Sequence, residues 1–134
     1  CPLIIAGPGI RPARCTRTVT LLDIYPTLVE LCGLPARSEL EGDSLVRLLR
    51  DPNAAWERPA LTTHGRENHS VRTEQWRYTR YADGSEELYD HENDEMEWTN
   101  LASREEHAAV KERLARWLPA VDAPDAEREP KRGS

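Results

Sequence analysis

The chain has 134 residues, 31% of them charged and 38% hydrophobic, and a formal net charge of -6. That length fits one domain or part of one, and the apolar content supplies a modest core, which excludes full disorder. The acidic balance excludes a general nucleic-acid binder and a polybasic membrane patch, and no apolar run approaches the ~20 residues of a transmembrane span.

The chain opens on Cys1 and runs directly into Pro2-Leu3-Ile4-Ile5-Ala6, an apolar stretch closed by Gly7-Pro8-Gly9. Such a run fits a strand buried on both faces of a parallel α/β sheet. No neighbouring strand precedes it, so the chain reads as the end of something longer. The two glycines read either as a backbone anion nest or as a turn needing permissive backbone. Thr20 to Cys32 then places Leu21, Ile24, Tyr25, Leu28, Leu31 and Cys32 on one helical face. Thr20 and Asp23 have capping-box spacing, and Gly33 is placed as the stop. Pro26 either kinks this helix or marks where its regular part begins; the expectation is one kinked helix with Cys32 as a small core residue. Gly42-Asp43-Ser44 opens a short helix carrying Leu45, Leu48 and Leu49, ended by Asp51-Pro52-Asn53.

From Ala60 the texture changes to strands: Ala60 to Thr63, Ser70 to Arg72, Trp76 to Ala82 and Glu87 to Asp90, with Asp83-Gly84 as a hairpin turn. These predict a small antiparallel sheet. Ser103 and Glu106 form a second capping box, opening a helix to about Leu118 with Ala108, Val110, Leu114, Trp117 and Leu118 as its apolar stripe. Pro119 ends it, and the Pro-, Ala- and charge-rich tail is predicted to be disordered.

The residues alone carry little chemistry. Cys1, Cys15 and Cys32 include no C-x-x-C pair, which argues against a zinc site and a dense disulfide framework. There is no G-x-S-x-G elbow, no P-loop and no H-E-x-x-H motif. The densest polar cluster runs from Thr62 to Arg72 and holds His64, Arg66, Asn68, His69 and Arg72 around Gly65. Imidazoles and guanidiniums on a sheet-held loop can meet a charged, oxygen-rich group; a solvated connector is the plainer alternative. His91 and His107 read as surface residues. The carboxylates from Asp90 to Glu97 lack the register and glycine of a calcium-binding EF-hand and read as a solvated turn.

Two stretches together resemble the C-terminal part of a sulfatase of the alkaline-phosphatase-like superfamily. Pro2-Leu3-Ile4-Ile5-Ala6-Gly7-Pro8-Gly9, the Asp23-Ile24-Tyr25-Pro26-Thr27-Leu28 helix with Gly33-Leu34, and Gly42-Asp43-Ser44-Leu45 carry the first. Trp76-Arg77-Tyr78, Glu87-Leu88-Tyr89-Asp90 and Asn100-Leu101-Ala102 carry the second. The segment with Gly65-Arg66 and Asn68 to Arg72 is similar to the iduronate-2-sulfatase-like branch. Glu95-Met96 departs from the family pattern, which has proline after Asp94.

The resemblance implies an α/β fold, here the C-terminal portion of an alkaline-phosphatase-like sulfatase. Residues 1–58 would be the last strand and helices of the large domain, 59–118 a subdomain of antiparallel sheet and C-terminal helix, and 119–134 the disordered tail. It implies a sulfuric ester hydrolase as the full-length parent, acting on a sulfated small molecule or carbohydrate in the periplasm or outside the cell. The parent would carry a formylglycine, made in a C-x-P-S-R motif, and a divalent cation, calcium in most relatives. None of the three cysteines has that context. No catalytic or metal-binding residue is therefore expected here, and the remaining N-terminal sulfatase domain is the expected partner. His64, His69 and Arg72 are the candidate substrate-binding residues, from a loop bordering the cleft. A phosphoester or phosphonate hydrolase of the same superfamily, and a stand-alone noncatalytic binding module, stay open as alternatives.

Overall fold

Residues 2–124 are described by the computed structural model, in which the chain divides after Ala60 into two compact units. In the first unit, regular structure begins at Thr20. Its hydroxyl accepts from the Leu22 amide at 3.2 Å, and the Asp23 carboxylate accepts from the Thr20 amide at 2.8 Å, the reciprocal capping box expected from their spacing. A 3-10 turn, Leu21–Asp23, leads straight into helix α1, Ile24–Leu31. Pro26 thus lies in the first turn of α1, where its missing N–H costs least, so the helix starts near the proline instead of kinking there. Gly33, at φ +65°, stops it in a Schellman arrangement: the Gly33 amide donates to Glu30 and the Leu34 amide to Val29, each at 3.0 Å.

Two polar residues are buried here, Asp23 at the end of the 3-10 turn and Thr27 in α1. Asp23 is 1% exposed and also accepts from the Asp43 amide at 2.9 Å. Thr27, one turn on, donates to the Asp23 carbonyl and accepts from the Leu45 amide at 2.8 Å. The two side chains thereby pin the segment that enters helix α2, Val46–Arg50. Gly42 passes so close that a Cβ there would lie 2.1 Å from the Leu22 carbonyl oxygen. Leu45, Val46, Leu48 and Val29 pack beneath. The expected inward apolar stripe instead faces out: Leu21 is 76% and Leu28 53% exposed, with Leu22, Tyr25, Leu31 and Leu34 also exposed. Cys32 is exposed too, not a core residue. The Asp23–Thr27 lock fixes the helix rotation, and the apolar stripe follows on the far side.

Pro2 to Ala6 forms no strand, because no strand of the described residues pairs with it; Leu3 and Ile4 are exposed. Gly7 to Ile10 is a tight turn, with the Ile10 amide on the Gly7 carbonyl at 3.2 Å and Gly9 at φ +77°, which is the turn reading of the glycines. Side chains rather than a ladder hold the following coil. Arg17 donates to the carbonyls of Asn53 and Ala54, and the Trp56 indole donates to Thr18 at 2.9 Å.

The second unit is built on four strands, β1 (Ala60–Thr63), β2 (His69–Arg72), β3 (Trp76–Arg80) and β4 (Glu86–Asp90), in consecutive order. The β2–β3 and β3–β4 pairs are antiparallel, with Val71 opposite Tyr78 and Tyr78 opposite Leu88. Gly84, at φ +83°, makes the β3–β4 turn predicted from Asp83-Gly84. Val71, Tyr78 and Leu88 form one buried stripe together with Trp76, Ala102 and Leu114. A 3-10 turn, Glu105–His107, leads into helix α3, Ala108–Ala115. The expected Ser103–Glu106 box does not form; Arg104 holds the cap position of the 3-10 turn without a side-chain bond. Val110, Leu114 and Leu118 face the sheet, whereas Trp117 is exposed.

The edge of β4 is closed by Asn100, whose side-chain oxygen accepts from the Leu88 amide at 3.0 Å and whose amide donates to the Glu86 carbonyl at 3.1 Å. The Leu101 amide adds a bond to the Leu88 carbonyl at 2.8 Å. Asn100 thus substitutes for an edge strand, the physical content of the Asn-Leu-Ala motif. Pro119 to Pro124 has no regular structure, and the predicted tail from residue 125 onward lies outside the described residues.

Candidate functional site

The loop between β1 and β2, residues 64–68, is a tight reversal closed by the His64 amide on the Asn68 carbonyl at 3.0 Å. Two of its residues lie in the left-handed region, Gly65 at φ +66° and Glu67 at φ +64°. The first is free of cost for glycine; the second is strained for glutamate. The Asn68 side chain fastens the loop from both sides, donating to the Arg66 carbonyl at 2.8 Å and accepting from the Ala82 amide at 3.2 Å.

His69 sits at the foot of this loop, 4% exposed. Its Nδ1 lies 2.9 Å from the Thr63 hydroxyl and its Nε2 3.2 Å from Asp122 Oδ2. The same Asp122 oxygen accepts from the Glu67 amide at 2.6 Å. Asp122 belongs to the expected disordered stretch, and nothing in a run of Pro, Ala and charges singles it out. A carboxylate has found two donors, which is reason enough for that part of the segment to be held.

Arg72 is placed differently. Alternation along β2 puts His69 and Val71 on the core face and Ser70 and Arg72 on the other. The Arg72 guanidinium donates to the carbonyls of Thr73, Glu74 and Trp76, bracing the β2–β3 turn. Burial, and then the positive charge of Arg77, push it below its ordinary pKa. Arg77, directly opposite, is balanced by Glu97 at 2.8 Å. The sheet therefore does not converge His64, His69 and Arg72 on one point. His64 is exposed on the loop beside Arg66, His69 is enclosed, and Arg72 braces the opposite face.

The two histidines expected at the surface are partly enclosed. His91 Nε2 meets Glu97 Oε1 at 2.6 Å, and the His107 ring lies 5.4 Å from that of Trp76. Glu97 is held at φ +59° with its carboxylate shared between His91 and Arg77. The carboxylate-rich turn bonds locally, as expected: Asp90 accepts from the Glu92 amide and from Asn93, and Asp94 from the Thr99 amide. Among the described residues no three His, Cys, Asp or Glu side chains stand close enough to hold a metal ion, so the cation implied by the family resemblance has no donor set there. No helix of the described residues is long and apolar enough to cross a membrane.

The arrangement can present an imidazole and a guanidinium, His64 and Arg66, on a loop fixed by its neighbours, a means of receiving an anionic or hydroxyl-rich group. Residues 1–123 match the family model described as N-sulphoglucosamine sulphohydrolase, C-terminal. A sulfatase of Formosa agariphila is 40% identical over 123 residues, covering 91% of this chain and 24% of its own length. The solved structure of BT1596, a 2-O GAG sulfatase, superposes with a TM-score of 0.59 at 28% identity, covering 68% of this chain and 22% of that one. The phosphonate monoester hydrolase of Agrobacterium radiobacter gives 0.57 at 29% identity, covering 70% and 23%. The chain thus spans about a quarter of the length of the relatives it matches.

Proposed function

Because this chain belongs to the N-sulphoglucosamine sulphohydrolase C-terminal family of sulfatases, we propose that it forms the C-terminal part of an enzyme hydrolysing sulfate esters of sugars. The observation that carries the reading is the outward apolar face of α1. Tyr25, Leu28 and Leu31 of α1, with Leu21 and Leu22 of the turn before it and Leu34 just after it, are large apolar side chains left exposed, in a chain about a quarter as long as its sulfatase relatives. Its occupant in this reading is the remainder of the sulfatase, which also supplies the formylglycine and the metal ligands. This part contributes the border of the substrate pocket through the 64–68 loop. His64 reaches the organic portion of the substrate, while His69 and Arg72 border the pocket by holding the loop and the adjoining turn. The iduronate-2-sulfatase-like branch is the finer assignment, supported by the likeness to the 2-O GAG sulfatase. The parent would be periplasmic or secreted.

The 134-residue chain alone is expected to leave 4-nitrophenyl sulfate unhydrolysed with calcium present. The full-length enzyme that contains it is expected to turn over a sulfated sugar, with His64→Ala raising KM. Turnover by the chain alone, or none by the full-length enzyme on any sulfate ester, would overturn the reading. The likeness to a phosphonate monoester hydrolase favours a second reading, which a preference of the full-length enzyme for phenyl phosphonate esters over sulfates would establish.

A further inference from the structure

We propose that Asp122 is a positioning residue that locks the 64–68 loop from the segment following α3. Three observations converge on it. Glu67 holds a left-handed backbone that its side chain does not justify: among the described residues the glutamate carboxylate pairs with the neighbouring, exposed Arg66 at 3.7 Å. Strained backbone of this kind persists where the surroundings over-determine it, and the Asp122 carboxylate on the Glu67 amide at 2.6 Å is that determinant. The carboxylate also meets the one enclosed imidazole of the loop. The Asp122 carboxylate only accepts, so the His69 proton belongs on Nε2, which leaves Nδ1 of the neutral ring to accept from the Thr63 hydroxyl. Thr63 ends β1 and His69 begins β2, so the chain Thr63–His69–Asp122 links both stems of the loop, and the Glu67 contact fixes its tip. Asp122 is itself 23% exposed, so its bonds are partly shielded from water.

The shape in which His64 and Arg66 are presented thus depends on a residue more than fifty positions away. This deepens the reading of the loop as a pocket border and rests on it for its purpose. The lock itself is measurable without substrate, so failure of one is distinguishable from failure of the other.

The test is amide exchange and imidazole 15N NMR on the labelled full 134-residue chain. In the wild type the Glu67 amide is protected, and the His69 ring carries its proton on Nε2. Asp122→Ala speeds Glu67 exchange about tenfold or more and shifts the Nε2 signal, while the Tyr78 and Leu88 amides stay protected. Asp122→Asn, which keeps an acceptor oxygen, restores most of the protection. Thr63→Val perturbs the Nδ1 signal from the other side without touching the Asp122 segment. Unchanged Glu67 exchange in Asp122→Ala with the core amides intact, or a His69 proton resident on Nδ1 in the wild type, overturns the proposal.

Discussion

Replacing Glu86 should unfasten α3 from the sheet by an amount that depends on what replaces it. Glu86, on β4, accepts from the Tyr78 hydroxyl with one oxygen and from Lys111 of α3 with the other, the latter at 2.8 Å. Tyr78 is 1% exposed, and its phenol is pushed well above the usual range, first by burial and then by the bond to Glu86. Glu86→Ala strands that hydroxyl without its acceptor, a loss of about 1–3 kcal/mol. It also removes a partly shielded ion pair, worth up to about 1 kcal/mol. The total is about 1–4 kcal/mol. Glu86→Gln keeps the acceptor and loses the charge, costing about 1 kcal/mol. Tyr78→Phe removes the donor and leaves Glu86 on Lys111, costing about 1 kcal/mol. Urea unfolding at neutral pH, followed by tryptophan fluorescence, separates Glu86→Ala from the other two.

The pH dependence has a fixed sign. Lys111 first, then Tyr78, hold the Glu86 carboxyl below its ordinary range. Its contribution is therefore complete above the unfolded value of ~4.3 and is lost as pH falls through the lower folded value. The wild type should lose stability more steeply than Glu86→Gln below about pH 4. Parallel acid profiles for the two, or a Glu86→Ala cost smaller than that of Tyr78→Phe, would refute the reasoning.

Two further substitutions test the two units separately. Leu114→Ala, at a side chain 1% exposed against Val71, Tyr78 and Leu88, should cost about 2–5 kcal/mol in the same urea titration. Gly42→Ala drives a methyl into the Leu22 carbonyl and should cost about 2 kcal/mol or more, read as a lowered thermal midpoint, since backbone rather than a flexible side chain must give way.

Much of the second unit was legible because its signals are local. Alternation in Trp76 to Arg80 and the Asp83-Gly84 turn specify a hairpin without reference to anything distant. The capping box at Thr20 and the Gly33 stop were legible for the same reason. The orientation of α1 was not. Apolar periodicity says that one face must be covered, and Asp23 and Thr27 look like surface residues until the Asp43 and Leu45 amides come to meet them. Pro2 to Ala6 follows the same principle: its apolar run asks for strand neighbours, and none of the described strands pairs with it. In the candidate site the loop and its residue types were legible, but the split of His69 and Arg72 between faces needed β2 to begin at His69 and not at Ser70, and Asp122 needed tertiary structure.

Strands that pair only with their neighbours in sequence close short loops, and short loops form quickly. Each hairpin of β1 to β4 can assemble in about 1–10 μs once its turn is made. Leu114 of α3 and the Asn100 clasp then add to a ladder already in place. Refolding of this unit should accordingly be governed by local contacts, with the meander leading and the helix following.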